Sequence, residues 1–238
     1  MGTKNNNFVK YVDLLTVKEV DEEKNKEKFV YLPINDDLVI GRYQLDRNML
    51  EYGKKIVVRY SVYEKLKKVA IKLKQFNEDY KLIVVFGFRD MKLQEKYFNE
   101  IYNNVKDNFT DEIEMYEYIH EKIAVPEVAG HPTGGAVDVA IYDSKKEEII
   151  NFGSKILDWD TIKCYYYSEE ISKEAIENRK LLRKIMLEED FAPYDGEWWH
   201  FSYGDREWAF YYKKNKALYS QVNAEDVFSK RNNKYIKK

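Results

Sequence analysis

The chain has 238 residues, of which 44% are hydrophobic and 16% aromatic against 34% charged; this is the composition of a globular protein with an aromatic core and excludes a wholly disordered one. Lys+Arg 40 against Asp+Glu 42 leaves a formal charge of −2, so no global field draws the chain to nucleic acid or to an anionic membrane. The single cysteine, Cys164, excludes an intrachain disulfide and any cysteine-rich zinc or iron–sulfur site, and leans toward a reducing compartment.

No stretch approaches the roughly 18 apolar residues of a membrane span, and the N-terminus has no signal-peptide core. The expectation is a cytoplasmic protein with no membrane or nucleic-acid partner. Residues 1–28 are polar, with a charge run from Lys18 to Lys28 expected at the solvated periphery. Short β-rich runs follow at Phe29–Leu32, Leu38–Tyr43 and Lys55–Tyr60. Ser61-x-x-Glu64 forms a capping box ahead of Val62, Leu66, Val69, Ala70, Leu73 and Phe76 at helical spacing, which predicts a helix. Leu82–Phe86, apolar throughout and closed by Gly87, reads as a buried strand.

Leu93–Val105 and Asp111–Ile123 read as amphipathic helices, Ala136–Tyr142 as a strand and Glu148–Phe152 as its hairpin partner. Ser172–Glu189 is a long helix, and the aromatic runs Glu197–Tyr203 and Trp208–Tyr212 read as strands. Residues 230–238 form a basic, peripheral tail. Strands and helices without strict alternation argue an α+β fold with antiparallel pairing in one domain over residues 1–238.

Two segments carry the chemistry. In Ala129-Gly130-His131-Pro132-Thr133-Gly134-Gly135-Ala136-Val137-Asp138, a strand would put Asp138 on one face with Ala136 and Ala140, and Val137, Val139 and Ile141 on the core face. A carboxylate in so apolar a strand is costly unless it is paired, hydrogen-bonded or bound to a metal. The Gly134-Gly135 pair lets His131 fold back toward it. Taken alone, the segment fits a hydrogen-bonded His–Asp pair somewhat better than a metal site. The second segment is Glu197-Trp198-Trp199-His200-Phe201, with Glu197 expected at the mouth of a strand. Alone it fits an exposed Glu197 and a His200 packed among tryptophans equally well.

Together, His131, Asp138 and His200 make three N/O ligands that leave the fourth tetrahedral position of a zinc ion open, and Glu197 is placed to take a proton from water there. Arg89, directly after the buried strand, could face a developing oxyanion, although taken alone it fits a surface ion pair with Asp90 better. His120, in a predicted surface helix, is left out of the site, and Cys164 is read as structural.

The first segment resembles the Ser-x-His-x-x-Gly-x-Ala-x-Asp signature of the zinc D-alanyl-D-alanine peptidases, and the second their Glu-x-x-His motif. Gly87-Phe88-Arg89 resembles their Gly-Tyr-Arg element. The stretch from Asn178-Arg179 through Leu182-Arg183 and Ile185-Met186 to Phe191, Tyr194 and Glu197-Trp198-Trp199-His200 is similar to the C-terminal block of the D-Ala-D-Ala dipeptidases. The resemblance runs from about Leu82 to Phe201.

It implies a hedgehog/DD-peptidase fold with a central antiparallel sheet flanked by helices, and one zinc ion per chain held by His131, Asp138 and His200. It also implies Glu197 as catalytic base, Arg89 stabilising the transition state, and Asp158 binding the ammonium group of a small D-dipeptide. Two positions depart from the pattern: Ala129 stands in place of the signature serine, and Asp90 in place of a proline. The implied activity is hydrolysis of D-Ala-D-Ala or a related D-dipeptide. The alternatives are a D,D- or L,D-carboxypeptidase acting on peptidoglycan stem peptides, and a zinc-containing binding module without catalysis.

Overall fold

The computed structural model describes residues 8–34, 36–42, 49 and 56–228. The basic segment 230–238 lies outside the described residues, as do Tyr43 and Lys55 at the ends of two expected strands. The chain begins with helix α1 (Tyr11–Leu15), strand β1 (Glu19–Val20) and one helical turn, α2 (Glu22–Asn25), whose first amides are capped by the Asp21 carboxylate. The peripheral placement expected of the N-terminal segment 1–28 gives way at residues 11–17. Tyr11, Leu14 and Val17 are only 4%, 2% and 4% exposed, because they supply the apolar surface that α1 and its flanks lay on the body of the protein.

Strands β2 (Phe29–Tyr31), β3 (Val39–Gly41) and β4 (Val57–Arg59) fall in the β-rich runs, and β4 passes straight into helix α3 (Tyr60–Phe76). That continuity displaces the expected capping box. Ser61 lies inside the first turn of α3, and its amide and hydroxyl both donate to Glu27. A carboxylate remote in sequence thus satisfies an orphan donor of the helix start, where negative charge is also favoured by the helix dipole.

Next come β5 (Tyr80–Phe86), α4 (Met91–Val105), α5 (Glu112–His120), β6 (Ala136–Asp143) and β7 (Glu148–Ile149), followed by α6 (Lys173–Glu188), β8 (Ala192–Pro193) and β9 (His200–Ser202). The chain ends in α7 (Arg206–Tyr211), β10 (Lys216–Ala217) and α8 (Ala224–Phe228). The expected strand at Trp208–Tyr212 is therefore a helix. Asp205 caps it by accepting from the Trp208 amide, and this local cap outweighs the β preference of the aromatic run.

The six-stranded sheet has the order β3-β5-β6-β9-β8, with β7 also paired to β6. It is antiparallel except at one edge, where β3 and β5 run parallel in the register Val39↔Leu82. The chain between them includes β4 and α3, and such a long connection can return a strand in its original direction, which a tight hairpin cannot. Helices α3 and α6 cover the sheet: Val62, Leu66, Leu73, Leu182, Ile185 and Met186 share one apolar cluster with Leu82–Val85, Val137, Val139 and Ile141. Among the described residues, no helix is long and apolar enough to cross a membrane.

Candidate active site

Antiparallel pairing of the central strands assembles the first half of the site. In the β6–β9 ladder Asp138 lies opposite His200, and on the other side of β6 it faces Phe86 across a register shift in β5. Asp138 is 2% exposed, and its Oδ1 is 3.0 Å from Nδ1 of His200. On the far side of that ring, Nε2 faces Oε2 of Glu207, in the first turn of α7, at 3.7 Å.

His131 reaches the same carboxylate from a 3₁₀ turn, His131–Thr133, which ends at Gly134 in the left-handed region at φ 74°. Glycine is required there on two counts: an L side chain is strained at that φ, and a Cβ would approach Cε1 of Phe29 to 2.3 Å. Backbone and side-chain bonds hold the turn from behind. Arg59, 1% exposed, donates from Nε to Thr133 O at 2.8 Å, and its amide donates to Gly134 O. His131 Nδ1 lies 2.8 Å from Gly87 O, so it carries the proton and donates, which leaves the Nε2 lone pair pointing to Asp138 Oδ2 at 3.4 Å.

The electrostatics follow from burial and from this pairing. Burial lowers the pKa of His131, so its imidazole is neutral and able to ligate. At Asp138 burial works upward but is overcome by the pairing with His131 and His200, which holds the carboxyl well below the usual range. At His200 burial works downward, and the hydrogen bond and charge of Asp138, with Glu207 and Glu197 behind it, carry the ring up to about 10. Ligand atoms of His131, Asp138 and His200 all lie within 4.8 Å of one another. Two imidazoles and a carboxylate at this spacing form a donor set suited to a tetrahedral divalent cation with one position open, which would displace the proton that His200 shares with Asp138.

Glu197 sits just before β9 in a turn, as expected. Its Oε1 accepts from the Trp159 indole at 2.8 Å, and its Oε2 lies 3.9 Å from His200 Nδ1. Burial, the largest influence, raises its pKa above the usual carboxylate value. Arg89 follows β5 and is 9% exposed, with its amide bonded to His131 O. Its guanidinium is aimed by Gln94, which accepts from Arg89 NH1 at 2.8 Å and itself donates to Ala124 O at 2.7 Å. Asp90 accepts from the Ala224 amide and so docks α8.

These residues border a cavity of about 100 Å³. Arg89, His131, Asp138, Glu197 and His200 all line it; Asp158 lines neither this cavity nor the one beside it, whereas its neighbours Leu157 and Trp159 do. The backbone explains the alternation: Leu157 takes φ 65°, and the Asp158 amide turns back to Lys155 O. His120 is not on a surface. It is 8% exposed, its Nδ1 accepts from the Val125 amide, and it borders the cavity. Gln94, Trp159 and Glu207 escape sequence reasoning because each reaches the site through a tertiary contact. Only Glu207 had a signal, the Asp205 cap two residues before it.

Comparison with known proteins follows the same lines. A protein-family model described as D-Ala-D-Ala dipeptidase matches residues 35–221. A D-alanyl-D-alanine dipeptidase of Synechocystis sp. is 24% identical over 190 residues, covering 70% of this chain and 76% of that protein. One from Enterococcus faecalis is 30% identical over 99 residues, 42% of this chain and about half (48%) of the relative. Among solved structures, the LdcB LD-carboxypeptidase superposes with a TM-score of 0.44 at 19% identity, covering 93% of this chain and 94% of that one. The vancomycin resistance D,D-pentapeptidase VanY, solved with Zn(II), gives 0.37 at 16% identity, covering 79% and 91%. With the family model spanning most of its length, the chain belongs to the D-Ala-D-Ala dipeptidase family of peptidases.

Proposed function

We propose that His131, Asp138 and His200 hold one zinc ion and that this site hydrolyses D-Ala-D-Ala or a closely related D-dipeptide. The family membership and the buried two-imidazole, one-carboxylate donor set support the metal. The mostly antiparallel sheet bearing α3 and α6 supports a fold of the hedgehog/DD-peptidase type. Bound there, zinc would supply Lewis-acid polarisation of the scissile carbonyl and would acidify water.

The rest of the chemistry belongs to the chain. Trp159 occupies Oε1 of Glu197, so Oε2, on the side of His200, is the oxygen that takes the proton from the attacking water and later delivers it to the leaving amine. Arg89, fixed by Gln94, meets the charge that develops on the carbonyl oxygen. Glu207 holds the far edge of His200 and is a positioning residue. Glu207→Gln is expected to weaken zinc binding by about 10–100-fold, the usual cost of losing an outer carboxylate partner of a ligating histidine. Competition with a chromophoric chelator measures this, and unchanged affinity would remove Glu207 from the support of the site.

The observation that favours a dipeptidase over a carboxypeptidase is the size and walling of the cavity. It holds about 100 Å³, and Val9 and Leu14 of the N-terminal segment border it together with Trp159. A stem peptide would have to displace that wall, whereas a dipeptide has no chain to extend past it. Mass-spectrometric product analysis over D,D-, L,D- and L,L-dipeptides and longer stem peptides tests the reading. Cleavage confined to D-dipeptides is expected; release of a terminal residue from tripeptides and pentapeptides would make the protein a carboxypeptidase.

A further inference from the structure

Beside the zinc cavity lies a second one of about 300 Å³. Its walls are apolar and aromatic: Phe86, Tyr97, Ile123, Leu157 and Trp159. Arg89 and Lys122 border both cavities, while the acids Glu121, Glu197 and Glu207 border only the smaller one. Asp138, which also borders both, is committed to the metal in the proposed site. The second cavity therefore combines an apolar interior with two cations where it opens onto the reacting centre. That is the chemical complement of a carboxyl-terminal residue, whose carboxylate meets the cations and whose side chain enters the apolar space. An alanine methyl group would leave most of the space without contact, and an apolar subsite gains affinity with every methylene it desolvates.

We infer that this cavity is the subsite for the side chain of the substrate's carboxyl-terminal residue, and that the enzyme prefers there an apolar D-residue of leucine or phenylalanine size over D-alanine. The inference rests on the dipeptidase reading and sharpens its substrate class. Each added methylene in a hydrophobic pocket is worth about 10-fold or more in kcat/KM, so D-Ala-D-Leu and D-Ala-D-Phe should exceed D-Ala-D-Ala by at least about 10-fold.

The experiment compares kcat/KM for these three dipeptides on the zinc-loaded wild type, on Ile123→Trp and on Leu157→Phe, two variants that fill the cavity from different walls. The wild type should rank the bulky substrates first, and both variants should reverse that order. Lys122→Gln should raise KM for the free acids several-fold but not for the carboxamides of the same dipeptides. Calorimetric binding of D-Ala-D-Phe and D-Ala-D-Ala to the zinc-loaded Glu197→Gln protein tests the subsite without turnover. Tighter binding of D-Ala-D-Phe upholds it even if the hydrolysis assay were to overturn the dipeptidase reading. Equal or weaker binding of D-Ala-D-Phe, or a wild-type preference for D-Ala-D-Ala that the filling variants leave unchanged, overturns it.

Discussion

Glu197→Gln is expected to lower kcat/KM for a D-dipeptide by about 10²–10⁴-fold, the range supplied by general acid–base catalysis, while zinc content and melting temperature stay at wild-type values. The amide is nearly isosteric with the carboxylate, and its carbonyl oxygen can still accept from the Trp159 indole. What it cannot do is take a proton. The nearest groups offer no replacement: Asp138 is held as an anion between two imidazoles with its pKa depressed, His131 Nδ1 is engaged by Gly87, and Glu207 stands on the far side of the His200 ring. A zinc-loaded Glu197→Gln protein with near-native turnover would sink the base assignment. Loss of zinc in that variant would instead make Glu197 a ligand.

Removing a proposed ligand should have the larger effect. His131→Ala, Asp138→Ala and His200→Ala are each expected to reduce zinc from one per chain to near zero and activity to background, because two remaining donors do not make a catalytic zinc site. Asp138→Ala is the most informative of the three. The Asp138 carboxylate lies between both imidazoles, so its loss removes both a proposed ligand and the negative charge that, against burial, raises the pKa of His200. Elemental analysis on folded protein reads the result, and full occupancy in any one of the variants would strike that residue from the set.

How much of this was legible beforehand depends on the range over which each feature is decided. Strands β5 and β6 and helices α3, α4 and α6 are written in local apolar patterns and were found within a few residues. The metal-site candidates were legible because histidine is scarce, with only three in the chain. Their convergence was not: the pairing of Asp138 with His200 is a ladder register between residues 62 apart. Trp159 and Gln94 carry no local mark of their roles, since each acts through hydrogen bonds that only the tertiary fold brings about. The miss at α7 had a different cause. An aromatic run was weighed above an Asp-x-Glu start whose side chain captures the Trp208 amide. His120 was misplaced because α5 is buried by α1, a segment that composition alone marks as polar.

The loop that carries Trp159 has its own fastening, far from the cleft. Arg179, on α6 and 1% exposed, donates to Phe152 O and to Lys163 and Tyr165 O, so one guanidinium ties the carbonyls at both ends of the segment between them. Trp159 lies between those anchor points and in turn holds the carboxylate proposed as the base. Much of the support of that group thus rests on a side chain that lines neither cavity. Such a layout is efficient but brittle. Sequence drift at the rim of the cleft can be absorbed one contact at a time, whereas drift at position 179 would leave the buried Phe152 carbonyl without its donor and slacken the segment that carries Trp159 in the same step, so tolerance to change in this enzyme is not graded by distance from the cleft.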